Sequence, residues 1–253
     1  MTAKIRDNPG ATRWISERPI AHRGLHDVSR GIFENTLSAA KAAIEHGYAI
    51  EVDLHPSRDG VPMVFHDNTL NRLTQESGNV RDRSAGELAS IGIGGSADRV
   101  PTLAQLLDLT GGRSGLVLEL KGIAGEDDGF VAAVLSVLED YDGPVAIMSF
   151  NHWLLADARK LGATIPVGLT AEGDDKLNGV HREAMAAYQP DFVSYGIDDL
   201  PNDFVREFHE TGRPVITWTV RSPEAAAKSA LYADQITFEG FLPPLPEAEQ
   251  AVD

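Results

Sequence analysis

Hydrophobic and polar positions fall into two alternating rhythms along the chain. Short apolar, β-prone runs appear as "PIAH" near 19–22, "YAIEVDL" near 48–54, "GLVLEL" near 115–120 and "GPVAIMSF" near 143–150. The series continues with "TIPVGLT" near 164–170, "DFVSYG" near 191–196, "RPVITWTV" near 213–220 and "DQITF" near 234–238. Between them lie stretches such as "NTLSAAKAAIEHG", "DGFVAAVLSVLEDY" and "NHWLLADARKLG", whose apolar residues recur at helical spacing. Eight strand candidates separated by helices predict an α/β protein, a (β/α)8 TIM barrel formed as one domain over residues 1–253. A doubly wound open sheet shares the alternation, but no GxGxxG follows the first strand to support it.

Helix punctuation agrees with the barrel. Asn35 and Asn151 stand where N-caps are wanted, Gly47 and Gly162 follow the last periodic residues, and Pro223 lies near a helix start. One region breaks the rhythm: residues 68–100, after the apolar run "VPMVFHD", are rich in glycine and polar residues. They read as a small insertion after the second strand, made of loops with a short helix around Ala85 to Ser90. Long excursions at the C-terminal end of barrel strands are where substrates are recognised. The tail "FLPPLPEAEQAVD" is Pro-rich and acidic, which predicts a loose surface segment.

Composition narrows the function more than the fold. With 253 residues, 42% of them hydrophobic and 24% charged, the chain can build one large soluble core. A formal net charge of -16 argues against nucleic acid and against stable membrane association through anionic lipid. An anionic small molecule would therefore need a local positive device, and a divalent metal held by carboxylates supplies one. There is no cysteine, which excludes disulfides, thiolate metal sites and cysteine nucleophiles. The first residues lack the apolar core of a signal peptide and no run approaches membrane-spanning length, so the expected compartment is cytoplasmic.

The candidate chemistry sits at strand ends. In "YAIEVDLH", alternation puts Glu51, Asp53 and His55 on one face and Ile50, Val52 and Leu54 on the other. Both faces of a parallel barrel strand are covered, so two neighbouring acids repel unless a cation sits between them; Mg2+ or Ca2+ suits carboxylate oxygens. In "GLVLELKG", Glu119 and Lys121 also share a face, which fits either a third metal ligand or a simple ion pair. His22 beside Arg23 ends the first strand, and His66 beside Asp67 ends the return run. Two such histidines suit acid–base work on a phosphate, one taking a proton and the other giving one, while the arginine holds phosphate oxygens. His26, His46, His152, His181 and His209 read as loop or helix-surface residues. Trp218 fits a pocket wall or a packed core position, and Glu34 has no capping role to explain it.

Taken in order, "AHRG", "ENT", "EVDL", "VFHD", "LELK", "SF" and "WTV" resemble the signature of the glycerophosphodiester phosphodiesterase family, over about Ile20 to Thr237. The resemblance implies a (β/α)8 barrel with an inserted segment after the "HD" strand. It implies Glu51, Asp53 and Glu119 as metal ligands and His22 and His66 as the acid–base pair. Arg23 and Lys121 would contact the phosphate, Glu34 would lie near the metal and the glycerol, and Phe150 and Trp218 would line the pocket. The implied reaction is hydrolysis of small-molecule glycerophosphodiesters to glycerol 3-phosphate and an alcohol, with Mg2+ or Ca2+ as the cofactor. Two places depart from the family pattern: Arg221 replaces a frequent Asn after "WTV", and "TFEG", with Phe238 and Glu239, replaces an acidic "TD" pair. A related phosphodiesterase for a sugar, opine or lysophospholipid diester, or a phosphate-binding module without catalysis, are the competing expectations.

Overall fold

The computed structural model describes residues 9–246. Nine strands form one sheet: β1 (Ile20–Ala21), β2 (Ala49–Pro56), β3 (Pro62–Val64), β4 (Leu116–Leu120), β5 (Val145–Ser149), β6 (Val167–Ala171), β7 (Phe192–Gly196), β8 (Val215–Val220) and β9 (Gln235–Phe238). Their order is β1-β9-β8-β7-β6-β5-β4-β2-β3, and a further β1–β2 pairing closes the ring. Eight strands are parallel and make the barrel, while β3 lies outside it, antiparallel to β2. The eight runs expected as barrel strands each supply one.

Closure explains the sequence pattern. Outward-facing Ile50, Val52, Leu54, Leu116, Leu118 and Leu120 pack beneath the helices, joining Leu103, Leu106, Phe130 and Val134 in the main core. Inward-facing Ile20, Ala49, Val117, Ala146, Met148, Phe192 and Ile216 fill the barrel, with Ile15 beneath them. Both faces are therefore dry, and an inward-facing charge must find a partner inside the barrel. Gly168 shows how tightly that interior is filled, because a Cβ there would come within 2.3 Å of the Phe192 ring.

The caps hold in part. Gly47 ends the helix Leu37–His46 in the left-handed conformation, and Pro223 begins the helix Pro223–Ser229 behind the Ser222 cap. Asn35 is not a cap: Thr36 takes that place, its hydroxyl accepting from the Ala39 N–H at 3.1 Å, and Asn35 turns inward to the site. Asn151 stands at the N-cap position of His152–Lys160, but its side-chain oxygen accepts from the Gly122 N–H at 2.7 Å instead. Gly162 falls one residue beyond the C-cap Leu161.

The insertion is more organised than a set of loops. It contains a single 3-10 turn at Val80–Asp82 and the short helix Ala85–Leu88, capped by a Ser84/Glu87 box. Leu70, Leu73, Val80, Leu88, Ile91, Ile93 and Val100 join Met63 and Phe65 in a core of their own. The tail also departs from expectation. Tyr48 donates a hydrogen bond to the Pro243 carbonyl at 2.7 Å, and Phe241 packs on Phe238, so its first residues are tied to the barrel. The rest of the tail, residues 247–253, lies outside the described residues. No helix among the described residues is long and apolar enough to cross a membrane.

Candidate active site

Three carboxylates converge at the C-terminal mouth of the barrel. Register pairs Asp53 with Glu119 and Glu51 with Val117, so Glu119 stands beside Asp53 with Glu51 one pleat below. One oxygen from each lies within 4.8 Å of one from each of the others, and each residue is buried. Asp53 is fixed by Asn35, which donates to its carboxylate at 2.8 Å and accepts from its N–H at 3.1 Å. Glu51 receives the Arg23 N–H on one oxygen at 2.9 Å, while its other oxygen is buried without a partner.

Electrostatics show what the cluster can hold. Burial, reinforced by the neighbouring carboxylates, pushes Glu51 well above the usual range. Burial likewise pushes Glu119 up to about 7, against the pull of Lys121. Burial also acts to raise Asp53, but the charges of Lys121, His66 and Arg23 outweigh it and hold that carboxylate low. The Lys121 ammonium lies 2.9 Å from Asp53 Oδ1 and also contacts Glu119 Oε1. Glu119 is thus both an ion-pair partner of Lys121 and a member of the cluster. An all-oxygen set with an orphaned buried oxygen and two acids disfavoured as anions fits a hard divalent cation.

Each expected histidine is anchored by a carboxylate. His22, at the end of β1, has Nδ1 at 2.6 Å from Glu239 Oε2 and Nε2 at 3.9 Å from Glu51 Oε2. His66 has Nδ1 at 2.7 Å from Asp67 Oδ1. A carboxylate on Nδ1 fixes the proton there in the neutral ring and leaves the Nε2 lone pair for the mouth of the barrel. Burial lowers the His22 pKa, opposed chiefly by its bond to Glu239. Glu239 in turn is held far below the carboxylate range by its bonds to His22 and His26.

The backbone at the end of β1 is shaped to present these groups. Arg23 adopts a left-handed φ of 56°, which aims its N–H at Glu51, and its guanidinium reaches Glu34 at 2.7 Å and Asp53 at 3.5 Å. Gly24, with φ of 79°, passes so close to the helix Leu37–His46 that a Cβ would lie 2.8 Å from the Ala39 backbone. Glu34 meets Arg23 and Arg72 rather than the carboxylate cluster. Phe150 directly follows β5 and Trp218 lies within β8, and their rings form an edge-to-face pair with centroids 5.4 Å apart.

Several residues of this site were not expected from the sequence. Glu239 registers there only as a departure from a pattern, yet it is the partner of His22; Arg221, the other departure, donates to it at 2.7 Å. His26, expected at the surface, is half-buried and 3.6 Å from the same carboxylate. His181 is also no surface residue: it is buried against Tyr195 and Phe204 and bonds the Glu172 carbonyl at 3.0 Å, away from the acids. His55 continues the acidic face of β2 but bonds the His66 carbonyl at 3.0 Å, and burial lowers it to about 4. Arg81, from the insertion, grips the Lys121 carbonyl at 2.6 Å and Asp127 at 2.5 Å.

Known proteins share this architecture. The glycerophosphodiester phosphodiesterase of Caldanaerobacter subterraneus subsp. tengcongensis is 33% identical over 160 residues, 59% of this chain and 65% of that protein. That of Bacillus altitudinis is 28% identical over 221 residues, 80% of this chain and 85% of its own. A phosphodiesterase from Oleispira antarctica, solved in complex with the product sn-glycerol-3-phosphate, superposes with a TM-score of 0.78 at 26% identity, over 88% of this chain and 92% of that one. The sequence profile of the glycerophosphoryl diester phosphodiesterase family, whose members are phosphoric diester hydrolases, matches residues 22–238, and the chain belongs to that family.

Proposed function

We propose that the protein hydrolyses small glycerophosphodiesters, the deacylated remnants of phospholipids, to sn-glycerol 3-phosphate and an alcohol. The observation that carries this is the pairing of a buried three-carboxylate cluster with two histidines, each anchored at Nδ1 by its own carboxylate. Glu51, Asp53 and Glu119 would hold Mg2+ or Ca2+. When bound, such a cation offsets the charge of the phosphate and polarises its oxygens.

The remaining roles belong to the chain's own groups. Arg23 and Lys121 hold the non-bridging phosphate oxygens and oppose the charge that grows on them. His22 and His66 divide the proton work through Nε2: one removes the proton of the attacking oxygen as it bonds phosphorus, the other protonates the departing alkoxide as its P–O bond breaks; where the attacking oxygen is the glycerol 2-hydroxyl, water then opens the cyclic phosphate by the same exchange. Glu239 and Asp67 keep both rings in the tautomer and orientation that this exchange needs. Glu34 steadies Arg23 on the glycerol side, and the Phe150–Trp218 wall bounds the alcohol pocket. Barrel and insertion act together as one catalytic domain, because the insertion supplies contacts to Glu34, Asp67 and the Lys121 backbone.

The test is release of sn-glycerol 3-phosphate from glycerophosphocholine and glycerophosphoethanolamine with added Mg2+ or Ca2+. Release that EDTA abolishes supports both the substrate class and the cation. No release from either diester, with folded and cation-loaded protein, would overturn the proposal.

A further inference from the structure

Arg72, in the insertion, makes two paired contacts at once. Its Nη1 and Nη2 donate to Glu34 Oε2 and Oε1, each at 2.8 Å. Its Nε and Nη2 donate to Asp67 Oδ2 and Oδ1 at 2.7 Å and 2.9 Å. Each of those carboxylates has a second partner on the side facing the barrel: Glu34 Oε1 accepts from Arg23 at 2.7 Å, and Asp67 Oδ1 lies 2.7 Å from His66 Nδ1. One guanidinium therefore stands a single carboxylate behind a phosphate-holding arginine and behind an acid–base histidine.

The segment carrying it is held from beneath. Leu70 and Leu73 flank Arg72 and are buried in the core of the insertion, the Leu70 N–H bonds the Gly78 carbonyl at 3.0 Å, and the Leu73 carbonyl accepts from Gly94 at 2.7 Å. Asp67 feels the contact most: the hydrogen bond from Arg72 is the leading cause that holds its carboxyl down to about 2. A lysine cannot reproduce this arrangement, because a point charge lacks the planar fork that meets two carboxylates together.

We propose that Arg72 is a positioning residue that locks Arg23 and His66 into one geometry through Glu34 and Asp67, making the insertion part of the active site. This rests on the phosphodiesterase function proposed above. Without Arg72, Asp67 loses the group that fixes its plane, and His66 loses its orientation. The carboxylate cluster has no contact with Arg72 and keeps its cation affinity.

The experiment compares Arg72→Ala and Arg72→Lys with Arg58→Ala. Arg58 ties the same insertion through the Asp82 carbonyl and Glu87, without touching any residue of the site. Arg72→Ala should lose at least tenfold in kcat on glycerophosphocholine and raise KM through the freed Arg23, with the half-saturating Mg2+ concentration within threefold of wild type. Millimolar guanidinium should restore part of the loss, Arg72→Lys should stay low, and Arg58→Ala should keep its kcat. In parallel, imidazole 15N resonances of His66 should show the Nδ1–H tautomer in wild type and mixed tautomers in Arg72→Ala, a readout that needs no turnover. Unchanged His66 resonances, a kcat within threefold of wild type, or equal losses in Arg58→Ala without guanidinium rescue would each overturn the positioning role. Wild type that turns over neither diester would instead count against the proposed function, and the His66 resonances would still decide the role of Arg72.

Discussion

Replacing Glu239 by Gln isolates one contribution to the proposed catalysis with almost no change in shape. The carboxylate receives His22 on Oε2 at 2.6 Å and Arg221 on Oε1 at 2.7 Å. An amide offers one acceptor and one donor, so it cannot serve both. If its oxygen stays with Arg221, the NH2 faces His22 Nδ1, which must then accept, and the ring proton moves to Nε2, where the proposed proton exchange needs a lone pair. The loss is about one charge-assisted hydrogen bond, roughly 1.5–3 kcal/mol, and hence about ten- to 150-fold in kcat. The pH profile adds a sign. Glu239 raises the His22 pKa against the larger lowering effect of burial. Removing the charge leaves burial and Arg23 opposed by Asp53 alone, so whichever limb of the profile His22 contributes moves to lower pH. The assay is kcat and kcat/KM on glycerophosphocholine from acid to alkaline pH, with melting curves to confirm folding. A folded variant with kcat within twofold of wild type and an unmoved limb would refute this account of Glu239.

Two further predictions concern the charge state of the cluster and the packing below it. Burial pushes Glu119 up to about 7 from an ordinary value of 4.5. Its contribution to stability is thus fully present below the ordinary value and lost as pH rises through about 7. His55, held to about 4 by burial, pulls the other way over part of this window, so the readout is the difference between wild type and Glu119→Gln in EDTA. Wild type should lose stability relative to the variant as pH rises from 4.5 to about 7, and a constant difference in melting temperature would contradict the assigned charge state. Gly168→Ala should destabilise by about 1–3 kcal/mol through overpacking. Phe192→Leu should recover much of that, because the new Cβ meets the Phe192 ring at 2.3 Å; additive losses in denaturant unfolding would exclude this contact as the cause.

What could be read from the sequence divides along a physical line. The barrel was legible because each buried strand has to repeat an apolar run, and Glu51, Asp53 and Glu119 stood out because they interrupt such runs on the inward face. His22 and His66 were legible as strand-end residues. Their partners differ: Asp67 is adjacent to His66, whereas Glu239 lies 217 residues from His22 and reaches it only when β9 closes beside β1. Arg72 gave no signal either, since a polar residue in an irregular stretch carries no periodicity, and its two carboxylates come from different segments. Asn35 misled because Asn beside Thr36 offers two capping candidates, and only the tertiary demand of Asp53 decides between them. His181 misled for the related reason that one turn of its helix faces Tyr195 and Phe204 inside the fold.

The central claim is that a divalent cation held by Glu51, Asp53 and Glu119 is required where the phosphodiester is cleaved. It is tested most directly by titrating Mg2+ and Ca2+ into EDTA-treated wild type and Glu119→Gln while following sn-glycerol 3-phosphate release from glycerophosphocholine. The account predicts no turnover without cation, saturable activation of wild type, and at least a tenfold higher half-saturating concentration in the variant. Turnover that ignores EDTA, or a variant activated at the same cation concentration as wild type, would contradict it.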